Sequence, residues 1–252
     1  LFDLREKLLF EEYPYSKLLP EKETVIGIPR VLSYWDTMPF WTTFFRSLGY
    51  QVQISDKSTR KIYESGLSAV TSDTVCFPAK LVHGHIRNLA EHHVDRIFMP
   101  TITTVSSENT ASTSESMCAI VKGYPIVIRN SDNPEKRFHI PFDAPLFHWY
   151  RTEDRNRQLT VYMKDTFDIS PDITKKAIEA ADQAQTSFER QLKENLLKKY
   201  YSLTGEKLDE DFELYQMLEF SNTKPVKVPY KGITLLGRSE ERRVGKECRS
   251  RW

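Results

Sequence analysis

Apolar residues in the first twenty positions fall at Leu4, Leu8 and Leu9, a helical spacing that ends at Tyr13-Pro14 and Leu19-Pro20. Residues 1–23 therefore read as an opening helix and linker. From residue 24 the period changes. Val25-Ile26-Gly27-Ile28 is a short apolar run closed by Pro29, as in a buried strand, and Phe40, Phe44, Phe45 and Leu48 share one side of a helix predicted over Pro39–Leu48 and stopped by Gly49. Tyr50–Ile54 follows as a strand. A short helix is predicted over Ser58–Ser65 with Gly66 as its cap, a longer one over Pro78–Glu91, and a strand over Arg96–Met99 ending at Pro100. Strands alternating with helices predict an α/β domain over residues 24–150, built on a doubly wound parallel sheet with helices on both faces.

Beyond this the pattern loosens. Ser106–Ser116 is almost wholly polar and reads as a solvent loop at the carboxyl end of a strand, where function concentrates in such sheets. Tyr124–Ile128 reads as a further strand, and residues 131–160, with Pro134, Pro141 and Pro145, as irregular chain. Pro171 opens a long helix with Ile173, Ala177, Ala181, Ala184, Phe188, Leu192, Leu196 and Tyr200 on one stripe, closed by Gly205. A second helix is expected over 209–220 and a strand at Ile233-Thr-Leu-Leu236. Residues 151–237 thus read as a helical segment followed by the truncated start of a second α/β unit.

The chain has 252 residues, 36 Lys+Arg against 35 Asp+Glu, and 39% hydrophobic residues, which places it with globular proteins and excludes disorder, collagen-like repeats and coiled coil. No apolar run approaches the ~18 residues of a spanning helix, and Leu1-Phe2-Asp3-Leu4-Arg5 is no secretory core. A cytoplasmic location without membrane partners is the expectation. The last fifteen residues, Arg238–Trp252, are strongly basic, without periodicity, and resemble a translated sequencing adapter along their whole length. Setting this artefactual tail aside leaves 30 basic and 32 acidic residues, so nothing favours nucleic acid as a partner. The chain then reads as an internal fragment of a longer polypeptide.

Of the three cysteines, Cys76, Cys118 and Cys248, the last goes with the tail; three are too few for a disulfide framework. Cys76 precedes a helix whose first turn contains Pro78. A thiol there meets the positive end of the helix dipole and unpaired N–H groups, which suits a metal ligand or nucleophile, against the commoner buried inert thiol. Cys118 follows the polar loop and also lies at an element boundary. His83 and His85, two apart on one helix, point about 200° from each other and cannot share an ion easily; one is expected packed and one solvent-facing. His92-His93 suits the carboxyl end of the same helix dipole. Arg30 and Lys80, near strand–helix junctions, are candidate contacts for an anionic ligand, or solvated charges. Trp35, Phe40, Trp41, Phe44 and Phe45 read as core.

Five strings occur in order: Ile26-Gly-Ile-Pro-Arg-Val-Leu32, Pro39-Phe-Trp-Thr-Thr-Phe-Phe45, Ser58-Thr-Arg-Lys-Ile-Tyr63, Val75-Cys-Phe-Pro-Ala-Lys-Leu-Val-His-Gly-His-Ile86 and Cys118-Ala-Ile-Val-Lys-Gly-Tyr-Pro125. Together they resemble the acyl-CoA dehydratase activase-related proteins of the 2-hydroxyglutaryl-CoA dehydratase and benzoyl-CoA reductase systems. The likeness is strong over about residues 24–128 and weaker to 237. It implies an iron–sulfur electron-transfer module that supports ATP-driven reductive activation of a 2-hydroxyacyl-CoA dehydratase in anaerobes, with an ATP-hydrolysing activator module and a dehydratase subunit as partners. It also implies a [4Fe–4S] cluster held by cysteines on strand-end loops, with Cys76 and Cys118 at two such places and Thr101 where relatives often carry the third. A hydroxyl is a poor iron ligand, so the set is incomplete here. The alternative is a non-catalytic α/β module that docks the activator to its dehydratase or positions an acyl-CoA, with Cys76 and Cys118 both structural. In either case Cys76, Thr101 and Cys118 are expected at the carboxyl edge of one sheet.

Overall fold

A computed structural model describes residues 2–105, 115–149 and 151–205. Four parallel strands, β1 (Val25–Ile28), β2 (Gln51–Ile54), β3 (Arg96–Phe98) and β7 (Phe142–Asp143), form one sheet in the order β2-β1-β3-β7. This is the doubly wound order: the chain leaves β1 in one direction and returns across it to β3. Past Met99-Pro100 the pairing resumes in parallel between β4 (Thr101–Ile102) and β8 (Leu146–Phe147). A short antiparallel pair, β5 (Thr104–Val105) with β6 (Glu115–Ser116), ends the sheet there. The predicted polar loop lies mostly outside the described residues, as do the expected helix over 209–220, the strand at 233–236 and the tail.

Right-handed crossovers that run in opposite directions put their helices on opposite faces. On one face α2 (Tyr34–Ser47) packs with α1 (Phe2–Phe10) and α8 (Pro171–Thr204), and α8 with α7 (Thr152–Phe167); on the other α4 (Phe77–Glu91) lies between α3 (Arg60–Gly66) and α5 (Ala119–Ser131). A 3₁₀ turn, Leu67–Ala69, extends α3, and α6 (Pro134–Phe138) follows α5. Residues of α7 and α8 share one apolar core with the sheet. The expected aromatic cluster is at its centre, with Trp35, Phe40, Trp41, Phe44 and Phe45 all at most 2% exposed.

Four expectations are corrected. First, α2 begins at Tyr34, so Pro39 is internal. Pro39 has no N–H for the Trp35 carbonyl four residues earlier, and the buried Arg5 guanidinium donates to that carbonyl instead, at 2.6 Å. Second, Tyr124–Ile128 is helical. Val121, Tyr124, Pro125 and Ile128 are buried and Ile126 is exposed, which is the three-and-four spacing of a helix that a run of apolar residues concealed. Third, residues 131–160 hold α6, β7, β8 and the start of α7. That helix buries only Arg155, Leu159 and Met163, one residue per turn, too narrow a stripe to read beforehand. Arg155 pairs with Asp182 of α8 through both terminal nitrogens, at 2.9 and 2.6 Å, and lies over the Phe40 and Trp149 rings. Fourth, Gly66 keeps right-handed geometry and is no left-handed cap. Its missing side chain serves contact: a Cβ there would meet the Gly84 backbone of α4, and one on Gly84 would meet the Ile62 carbonyl of α3.

Gly84→Ala should therefore force α3 away from α4 at a cost of about 3 kcal/mol, lowering the melting temperature by roughly 6–12 °C. An unchanged melting temperature would show that the two helices do not touch there.

Candidate functional site

Helices that return between parallel strands begin at the carboxyl edge of the sheet. Cys76 is the N-cap residue of α4 and Cys118 that of α5, and neither side chain makes the cap hydrogen bond. Neither is in a disulfide, and both are exposed at the surface. Thr101 opens β4, against which α5 packs; it is buried, and its hydroxyl has no hydrogen-bond partner among the described residues.

Behind the two helix starts lies a buried polar network that sequence reasoning did not find. His83 of α4 is fully buried and donates from Nδ1 to Asp132 Oδ2 at 2.7 Å, since a carboxylate only accepts; its Nε2 meets the Tyr124 hydroxyl of α5 at 3.0 Å. Asp132 caps the end of α5, and its other oxygen pairs with Arg137 of α6. Burial pushes the Asp132 carboxyl up, but the hydrogen bonds and charges of His83 and Arg137 outweigh it and hold the group below the ordinary carboxylate value. The Tyr124 phenol is pushed up to about 12, chiefly by burial and then by the negative charges that Cys76 and Asp132 can carry. Cys76 thus lies within electrostatic reach of α5. The only sequence signal for the network was an imidazole in an apolar helix. Its partners stand 41 and 49 residues away.

His85 is buried as well, which corrects the expectation that one of the two histidines faces solvent. The angular argument holds otherwise: His85 points away from His83, and its Nδ1 and Nε2 meet Ser55 Oγ at 2.8 Å and Ser58 Oγ at 3.0 Å. Ser55 Oγ also accepts the backbone N–H of Arg30, joining the segments after β1 and β2. His92 sits at the carboxyl cap of α4 and reaches Asp56 at 3.1 Å.

The two candidate anion contacts are engaged within the chain. Arg30 pairs with Glu6 of α1 and stacks on the Phe10 ring, 3.8 Å from its centroid, so it is largely covered rather than solvated. Lys80 donates to the Asp73 carbonyl at 3.0 Å. The crevice between β1 and β3, where doubly wound sheets take their ligands, is closed by Tyr34. That side chain is 1% exposed and donates to the Phe98 carbonyl at the end of β3; burial holds its phenol far above the ordinary value, so it stays a donor.

The sequence matches the family model of the CoA enzyme activase uncharacterised domain over residues 25–239. The chain belongs to that family. No curated protein and no solved structure matches it. In this activase domain the described residues contain no group of three His, Cys, Asp or Glu side chains placed to hold a metal, and no helix among them is long and apolar enough to cross a membrane. Two thiols and a hydroxyl fall short of the thiolate set of a cubane cluster, so these residues do not fit a self-contained [4Fe–4S] site.

His85 gives the activase domain a defined acid response. Its pKa is lowered to about 3, mainly by burial and further by the Arg30 charge. Between about pH 6.5 and about pH 3 the unfolded chain holds a proton there that the folded chain does not, so stability falls with pH by about 1.4 kcal/mol per unit. The stability gap between the wild type and His85→Gln should narrow by about 2 kcal/mol from pH 6.5 to pH 5 in urea unfolding. A constant gap would mean that His85 takes up its proton equally in both states.

Proposed function

We propose that this domain presents the carboxyl edge that carries Cys76 and Cys118 to the CoA-dependent dehydratase that its activase serves, and takes part there in reductive activation. One contrast carries the reading: the crevice of the sheet is filled by Tyr34, whereas two cysteines outside any disulfide stand exposed at the starts of neighbouring helices. A filled crevice leaves no place for a small ligand at the switch point, and the reactive groups face outward. Chemistry at such an edge is completed by whatever docks on it. An ATP-hydrolysing module would supply the driving force from elsewhere in the activase, since no phosphate-loop sequence occurs in this chain.

A second reading is favoured by Thr101. Its buried, partnerless hydroxyl on the strand beside α5 suits a vestigial third position, with Cys76 and Cys118 as two ligands of a cluster completed by a partner thiolate. Anaerobic reconstitution of the full chain, with iron and sulfide analysis, separates the two. The docking reading expects iron well below one cluster per chain, with no change on Cys76→Ser. The shared-cluster reading expects Thr101→Cys to raise bound iron and sulfide severalfold, and Cys76→Ser to abolish both. A full complement in the unaltered chain would contradict both readings.

A further inference from the structure

Helices α4 and α5 both give apolar side chains to the shared core, and one buried polar network joins them. Apolar contacts tolerate sliding, whereas a hydrogen bond is lost within a fraction of an ångström of misplacement or a modest change of angle. Removing one partner from a buried network strands the others, so such networks fix register where apolar packing does not. His83 uses both ring nitrogens across this interface, and all three side chains are essentially inaccessible: His83 is 0%, Asp132 1% and Tyr124 2% exposed. Arg137 ties Asp132 to α6 as well.

We propose that the Asp132–His83–Tyr124 network is the positioning device that sets the register of α4 against α5, and through it the separation of the Cys76 and Cys118 thiols. This rests on the reading of those thiols as the working groups of the domain. Cys76 precedes His83 by seven residues, two turns back on the same side of α4, and Cys118 precedes Tyr124 by six on α5. With a rise of about 1.5 Å per residue, Cys76 lies about 10 Å along α4 from His83 and Cys118 about 9 Å along α5 from Tyr124, so the two N-cap residues are set back from the network by similar lengths of helix. A slip of one residue would move one thiol about 1.5 Å relative to the other. Tyr124 and His83 are thus positioning residues that act through the helices they join.

The test bridges the thiols directly. In the full chain carrying Cys248→Ser, a short bis-maleimide under anaerobic conditions yields bridged and doubly mono-modified products, separated by intact mass. Their ratio depends on the distance between the thiols and is insensitive to a change that alters the reactivity of both alike. Tyr124→Phe removes one hydrogen bond and leaves the ring, His83→Gln removes the centre of the network, and Leu159→Ala weakens the core from the opposite face of the sheet; all are compared at a temperature where circular dichroism shows them folded. The starting protein should give bridged product. The ratio should fall about tenfold in His83→Gln and severalfold in Tyr124→Phe, with Leu159→Ala retaining it. Unchanged ratios in both network variants overturn the proposal while leaving the two-thiol reading intact, and so does an equal fall in Leu159→Ala. Absence of bridged product in the starting protein overturns both.

Discussion

Helix α4 is held from both sides by imidazoles two residues apart. His83 ties it to α5 and α6 through Tyr124 and Asp132, and His85 ties it to the segment after β2 through Ser55 and Ser58. Between them Gly84 lets α3 approach until backbone meets backbone. Four neighbours are therefore fixed by three adjacent residues. The residue that starts the helix, Cys76, inherits its position from that clamp. Doubly hydrogen-bonded imidazoles are tolerated inside a core because both ring nitrogens of each have partners. The same condition makes the arrangement sensitive to acid at His85.

The opposite face of the sheet is built differently, from aromatic packing around α2. Pro39 interrupts the backbone ladder of that helix and Arg5 repairs it, so α1 is fastened to the core by a charged hydrogen bond as well as by Leu8 and Leu9. Tyr34, at the start of α2, fills the place where the strand order reverses. A fold that commonly binds ligands at this point has here spent the position on packing. Function in this member of the CoA enzyme activase family is accordingly sought at the outer rim of the carboxyl edge.

Much of this was legible along the chain. β1 and β3 sit in short β-branched or aromatic runs, and α8 announces both its ends, with Ser170 and Pro171 at its start and Gly205, at φ 71°, at its close. Cys76 was placeable because it directly precedes a predicted helix, and Cys118 because it follows the polar loop at an element boundary. What was hidden depends on distant partners. Pro39 looked like a helix start because the repair comes from Arg5, more than thirty residues away, and one of the two histidines was expected in solvent because the partners of His85, Ser55 and Ser58, lie in the segment after β2. α5 was misread because five apolar residues in a row suit a strand as well as a buried helix, and only the exposed Ile126 decides between them. α7 offered one buried residue per turn, with Arg155 among them counted as polar.

On the function proposed above, the edge bearing Cys76 and Cys118 is where this domain meets its dehydratase. The most direct measurement is thiol footprinting of the complete activase by pulsed alkylation and mass spectrometry, alone and saturated with its dehydratase. Both cysteines should react readily in the unbound protein and both should be protected in the complex, with Lys164 and Lys176 on the opposite face unchanged in a parallel amine-labelling pulse. Equal labelling of Cys76 and Cys118 in the free and bound states would contradict the proposed function.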